Sequence, residues 1–217
     1  SVGFSALGES SNVARTAGMS EVIANDMVVR KSVPTFSTQS LPSTILQNGT
    51  GKTLYKFSVI ADNAGSIAWQ KISFNLETEG NVSLTNYQLY SNGTNLEAVV
   101  NNTNNTSTIE FNLPVAEVVA AGSIKNYELR ATVANATSST MVNLTSLGDG
   151  GSGTMAPDSV ADITEHSNFI WSDMSKVPAS TSLTDSVWVN GYLVKTFGDS
   201  AVLSDSNYVP STYSWYA

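Results

Sequence analysis

Ile67-Ala68-Trp69-Gln70-Lys71-Ile72-Ser73-Phe74-Asn75-Leu76-Glu77 is the stretch that decides the fold. Ile72, Phe74 and Leu76 alternate with Ser73, Asn75 and Glu77, the period-2 pattern of a strand with one buried face. Ile67 and Trp69 fall on the opposite phase. A strand that turns all five apolar side chains to one core needs an extra residue between the two sets, so a β-bulge is expected near Gln70-Lys71.

The same period runs outward on both sides. Tyr55, Phe57, Val59 and Ala61 alternate with Lys56, Ser58 and Ile60. Tyr127, Leu129, Ala131 and Val133 alternate with Glu128, Arg130 and Thr132. Tyr87 with Leu89, then Ile109, Phe111 and Leu113, then Val142 with Leu144, complete the series. Turn signals separate these runs at Asn48-Gly49, Asn63-Ala64-Gly65, Asn92-Gly93 and Ala121-Gly122-Ser123. Six or seven short strands at this spacing predict an all-β fold, an immunoglobulin-like β-sandwich over residues 29–172. Residues 1–28 are small and polar, and read as an extended amino-terminal segment with a weak helix signal at Met19–Met27. Residues 173–217 read as a carboxy-terminal extension packed on the same domain or on a neighbour. In it Trp188-Val189 and Tyr192-Leu193 flank Asn190-Gly191, the signature of a two-residue β-hairpin. Gly148-Asp149-Gly150-Gly151-Ser152-Gly153 reads as a linker, and Phe169–Ser172 as a strand returning to the sandwich.

Composition narrows the setting. Of 217 residues about a third are Ser, Thr or Asn, and only 13% are charged. Such short polar side chains suit turns and the wet face of strands, as in extracellular β-proteins. The net charge of −8 lies mostly in residues 148–217, which hold 8 acidic and 2 basic side chains. Acidity argues against a nucleic-acid surface, which needs a basic stripe; its plain reading is solubility. With no cysteine, disulfides and thiolate metal sites are excluded, and stability must come from core, glycans or assembly. No run approaches the ~18 apolar residues of a membrane helix. A first residue of Ser is consistent with a processed export signal or a trimmed chain.

Chemistry is sparse. His166 is the only histidine, and no serine carries a nucleophile elbow around it. Zinc would need more His and Cys ligands, no glycine-rich phosphate loop is present, and no calcium-loop spacing occurs. Glu77 with Glu79, or Glu110 with Glu117, could pair as glycosidase carboxylates but read more simply as solvated strand charges. No catalytic residue, metal or cofactor is expected. Asn-x-Ser/Thr sequons make Asn81, Asn92, Asn101, Asn104 and Asn105 candidate glycosylation sites, with Asn48, Asn135 and Asn143 in the same pattern. Trp171, Trp188, Tyr192 and Trp215 are read as packing or interface aromatics, the other reading being a sugar-stacking platform. Val2, Phe4 and Leu7 would anchor the amino end as a donor strand laid on another subunit.

Four blocks together resemble a family of uncharacterised secreted surface proteins of small-genome, uncultured (candidate-phyla) bacteria. They are Lys31-Ser32-Val33-Pro34-Thr35 with Leu41-Pro42; Leu54–Val59 with Ala61-Asp62 and Ile67–Phe74; Tyr127–Val133; and Phe169-Ile170-Trp171-Ser172-Asp173 with Val187-Trp188-Val189-Asn190-Gly191-Tyr192-Leu193-Val194-Lys195. Proteins of that kind often carry repeated sandwich domains, so the resemblance implies a surface location and an architecture, with no activity. The reading that follows is a structural subunit of a pilus-like extracellular filament or surface layer, not an enzyme. Its partners are copies of itself, joined head-to-tail by strand addition. The rival reading is a cell-surface adhesin or glycan-binding module that uses the carboxy-terminal aromatics.

Overall fold

The computed structural model describes residues 4–7, 14–17, 29–101, 107–149, 167–175, 188–194 and 196–204, the first two segments as backbone alone. The helix expected at Met19–Met27 and residues Val2, His166 and Trp215 lie outside them. The described residues form fourteen strands and one 3₁₀ turn. β1 (Phe4–Leu7) and β2 (Ala14–Ala17) pair antiparallel with each other and join neither main sheet. Phe4 and Leu7 therefore belong to a local hairpin.

Two antiparallel sheets make the immunoglobulin-like sandwich. The first runs in the order β3 (Thr35–Thr38), β4 (Gly49–Ile60), β10 (Ile124–Ala134), β6 (Ser83–Ser91), β7 (Thr94–Asn95). The second is built on β5 (Ile67–Glu79). Along one side of β5 lies β9 (Thr108–Val119), which carries β8 (Val99–Asn101) on its outer edge. The other side is shared: β12 (Phe169–Ser172) pairs with residues 68–72, and β11 (Met141–Ser146) with residues 74–79. β13 (Trp188–Asn190) extends β12, and β14 (Ser200–Ser204) extends β11.

The phase change read in the sequence is a bulge. Against β12 the β5 register passes from Lys71 straight to Trp69, leaving Gln70 over. Against β9 the jump between Trp69 and Lys71 leaves residues 113–116 bulged opposite Gln70, whose side-chain amide donates to the Leu113 carbonyl at 3.1 Å. Ile67, Trp69, Ile72 and Phe74 consequently all enter one core. Asn92-Gly93 forms the two-residue turn between β6 and β7, both with positive φ (47° and 85°), which the right-handed twist of a tight hairpin requires.

The inner faces meet in a closed ring of aromatic contacts. Phe36 stacks on Phe57, Phe57 on Tyr127, Tyr127 meets Trp69 edge-on, Trp69 stacks on Phe169, Phe169 contacts Phe197, and Phe197 stacks on Phe36, with centroids 4.5–5.9 Å apart. Each such pair adds about 0.5–1.5 kcal/mol beyond the area it buries. The ring takes members from both sheets and from the turn before β14, so it fastens the late part of the chain to the early strands.

The tail departs from the expected hairpin. Trp188–Asn190 pairs back onto Ile170–Ser172, and Gly191–Leu193 is a single 3₁₀ turn capped by the Asn190 side chain. Gly191 does not adopt positive φ, so Asn190-Gly191 is not the turn of a two-residue hairpin. Glycine is required for space: a Cβ at 191 would stand 2.9 Å from Phe169 Cβ and 3.0 Å from Asp149 Oδ2. The linker reading fails at its start for a related reason, because the Gly148 carbonyl accepts from the Asn168 side chain and the Asp149 carboxylate accepts from the backbone around β12 and Gly191.

Candidate functional site

The first structural centre is the pair of aspartates that fix the tail. Asp149 follows β11. Its Oδ1 accepts the Asn168 N–H at 2.6 Å, and its Oδ2 accepts the N–H groups of Phe169 at 3.2 Å and Gly191 at 2.6 Å. One carboxylate so satisfies the entry of β12 and the start of the 3₁₀ turn, where three backbone donors converge. Asp173, next after β12, is buried. Its Oδ2 accepts the Lys31 N–H at 3.0 Å, and its Oδ1 accepts the Ser175 N–H and Oγ–H at 3.2 and 2.8 Å. The Arg30 guanidinium lies 3.9 Å from Asp173 Oδ1. The Lys31–Thr35 and Phe169–Asp173 blocks, 142 residues apart at this contact, are thus one structural unit. The sequence contained both blocks, but it held no signal that an aspartate joined them.

The aromatic residues are placed by this scaffold. Trp171 is fully buried in the main core and its Nε1–H donates to the Asn190 carbonyl at 3.0 Å. Trp188 is equally buried, in a small cluster with Ala68, Ala116 and Ile170 on the other face of the second sheet. Tyr192 is half-buried, and Trp215 lies outside the described residues. Neither Trp171 nor Trp188 offers a ring face to a sugar.

The sequons separate by geometry. Asn81, Asn92 and Asn101 are exposed; Asn104 and Asn105 are outside the described residues. Asn48 is engaged with the Ala136 backbone, accepting its N–H at 2.8 Å and donating to its carbonyl at 3.2 Å. Asn143 donates to Glu77 Oε2 at 3.1 Å within the sheet.

The carboxylates that could have been paired for catalysis have structural partners. Glu77 also accepts from Asn75. Glu110 faces the buried Lys71 ammonium at 3.2 Å. Glu117 accepts from Lys125 at 2.9 Å and from Tyr127 Oη at 3.0 Å, while Tyr127 Oη accepts the Trp69 indole N–H at 3.1 Å. Burial, with the Glu117 charge beside it, pushes the Tyr127 phenol far above its ordinary range. Among the described residues no three His, Cys, Asp or Glu side chains are grouped to hold a metal, and no helix is long and apolar enough to cross a membrane.

Two surface features stand out. A groove of about 390 Å³ lies on the solvent face of the first sheet, between the Gln39-Ser40 segment and the Asn92-Gly93 turn. Its floor is a charge ladder: Lys56 Nζ is 3.3 Å from Glu128 Oε1, and Arg130 donates Nε–H and Nη2–H to Glu128 Oε2 at 2.9 and 2.6 Å. Burial alone would raise the Glu128 pKa, but the hydrogen bonds and charges of Arg130 and Lys56 outweigh it and hold the carboxyl below its usual range. Arg130 also lies over the Tyr90 ring at 4.3 Å. The second feature is an edge. β8 covers only residues 110–112 of β9, and among the described residues no strand pairs with residues 113–119 on that side. Val99, Val115 and Val118 are 59%, 75% and 37% exposed there, and a stretch of open strand edge with apolar side chains is a template for pairing.

No family model matches the chain, and no curated protein matches it. Among solved structures it is similar to the pilus backbone protein RrgB from Streptococcus pneumoniae, at 8% identity and a TM-score of 0.29, over 60% of this chain and 35% of that one. The full-length major pilin RrgB from the same organism matches at the same identity and TM-score, over 67% and 30%. The chain spans about a third of the length of those proteins. A TM-score of 0.29 is too low to bear on fold or function, and the sandwich stands on its own strand pairing.

Proposed function

We propose that this chain is a structural subunit of the cell surface or an extracellular filament, assembling with copies of itself by strand addition, and that it is not an enzyme. The single observation that carries the reading is the β9 edge: among the described residues, 117–119 pair with β5 alone, residues 113–116 bulge away from it, and Val115 and Val118 are exposed there. Such edges are ordinarily blunted by charge, proline or a bulge; here Pro114, the bulge at residues 113–116 and Glu117 stand on this edge, and Val115 and Val118 remain exposed among them. The amino segment anchored by Val2, Phe4 and Leu7 is the proposed donor. Donation exchanges its local pairing with Ala14–Ala17 for pairing along the next subunit's edge, a strand exchange at little net loss of hydrogen bonds. The ion pairs of Glu110 and Glu117 support a structural role for those carboxylates, and the surface location follows the composition and the resemblance described above.

The test is assembly. Purified protein viewed by negative-stain microscopy should show regular polymers, and Val115→Lys should leave a folded monomer, checked by circular dichroism. A wild-type protein that stays monomeric, or a Val115→Lys protein that polymerises as well as wild type, overturns the reading.

A further inference from the structure

We propose that the groove on the solvent face of the first sheet binds a carboxylated sugar, a uronate residue, with Lys56 and Arg130 taking the carboxylate and the Asn92 and Asn126 amides taking hydroxyls. This does not rest on polymerisation and can be tested on a monomer.

Within the ladder Glu128 is the only anion, and its two oxygens already accept from Lys56 and twice from Arg130. An ammonium has three N–H donors and a guanidinium five, so both cations keep donors to spare. The groove therefore carries one net positive charge in a chain whose formal charge is −8. A carboxylate is the complement of that surplus, and Arg130 is preset for it, since Glu128 and the Tyr90 ring hold its guanidinium in place.

The amides say what else the ligand carries. Asn92 and Asn126 are exposed, and their side chains make no hydrogen bond to other described residues. Each offers two donors and an acceptor, the dual character that vicinal hydroxyls match and a simple inorganic anion does not. Ser40, at the opposite wall, adds a hydroxyl. The volume of about 390 Å³ sits at the low end of small-ligand sites, which fits one or two sugar rings and excludes a longer buried chain.

The experiment is a titration of the ¹⁵N-labelled Val115→Lys protein followed by amide chemical shifts. The probes are galacturonate, trigalacturonate, galactose and N-acetylaspartate. Galacturonate should move Asn92, Asn126, Glu128 and Arg130 in a saturable way that weakens as salt is raised, and galactose should move them at least tenfold less. Lys56→Gln, which leaves the Glu128–Arg130 pair intact, should weaken galacturonate binding about tenfold. Trigalacturonate binding more tightly than the monosaccharide identifies a polysaccharide as the source; equal binding identifies the free sugar. Shifts confined to other residues, no saturation, galactose binding as well as galacturonate, or N-acetylaspartate binding as well as galacturonate would each overturn the proposal.

Discussion

Replacing Asp149 by alanine is the sharpest test of how the tail is held. The substitution removes an acceptor that serves three backbone N–H groups, those of Asn168, Phe169 and Gly191. A hydrogen bond to a charged group contributes about 1.5–3 kcal/mol net, and a buried donor left unsatisfied costs about 1–3 kcal/mol. Phe169 and Gly191 are buried, so water reaches their N–H groups poorly; Asn168 is half-buried and recovers part of its loss. The three share one carboxylate and are not additive, which places Asp149→Ala at about 3–5 kcal/mol. For a chain of this size 1 kcal/mol moves Tm by about 2–4 °C, so the shift is about 6–20 °C. Asp149→Asn should cost less, about 1–2 kcal/mol, because the amide oxygen can still serve Phe169 and Gly191 while the NH₂ group faces the Asn168 donor. Differential scanning calorimetry gives the order wild type, Asn, Ala. Amide hydrogen exchange at Gly191 and Phe169 should quicken in Asp149→Ala well before exchange in β4 and β10 does. A Tm for the alanine variant within about 2 °C of wild type would refute the clasp and restore residue 149 to a linker.

Two further outcomes are expected. Trp171→Ala should lower stability by about 3–5 kcal/mol, and Trp171→Phe by about 1–3 kcal/mol for the Asn190 carbonyl left without its indole partner; a melting curve unchanged by both would show that Trp171 is not in the core. In alkali, burial raises the phenols of Tyr55, Tyr87 and Tyr127, Tyr87 to about 12. The unfolded chain then loses these protons near pH 10 while the folded one keeps them, so their contribution is complete below about pH 10 and falls as pH rises toward 12. Tyrosinate absorbance should show Tyr55 and Tyr127 ionising only with the loss of the near-ultraviolet circular dichroism of the core, and ionisation of all three phenols near pH 10 in folded protein would contradict the burial.

The fold was legible where period alone decides. Tyr127, Leu129, Ala131 and Val133 turn inward and Glu128, Arg130 and Thr132 stay half-exposed, because a strand with one wet face has no other arrangement. The bulge was legible for the same reason, since two apolar phases in one strand leave a single extra residue to place. The Asn92-Gly93 turn was legible because positive φ at both positions is rare outside such pairs. Asn190-Gly191 carries the same dipeptide and does something else. Its glycine answers to Asp149 and Phe169, which approach from 42 and 22 residues earlier in the chain, and no local pattern records a contact of that kind. The groove was invisible for a related reason: Lys56, Glu128 and Arg130 each look like ordinary polar positions, and only the β4–β10 register sets Glu128 opposite Lys56.

The acidity of residues 148–217 also takes on a different meaning in the fold. Its plain reading is solubility, but Asp149 and Asp173 are turned inward as acceptors. A carboxylate has two oxygens and about four lone-pair sites, so it can collect several donors from separate segments at one point. Asp149 joins segments 19, 20 and 42 residues apart, and Asp173 joins segments 142 apart. In a chain with no cysteine these two residues occupy the place that disulfides hold in many secreted domains, where one bridge contributes about 2–4 kcal/mol. The comparison has a limit set by mechanism. A disulfide also constrains the unfolded chain, whereas an aspartate clasp acts only once β12 and the 3₁₀ turn are in place, so its whole contribution lies in the folded state.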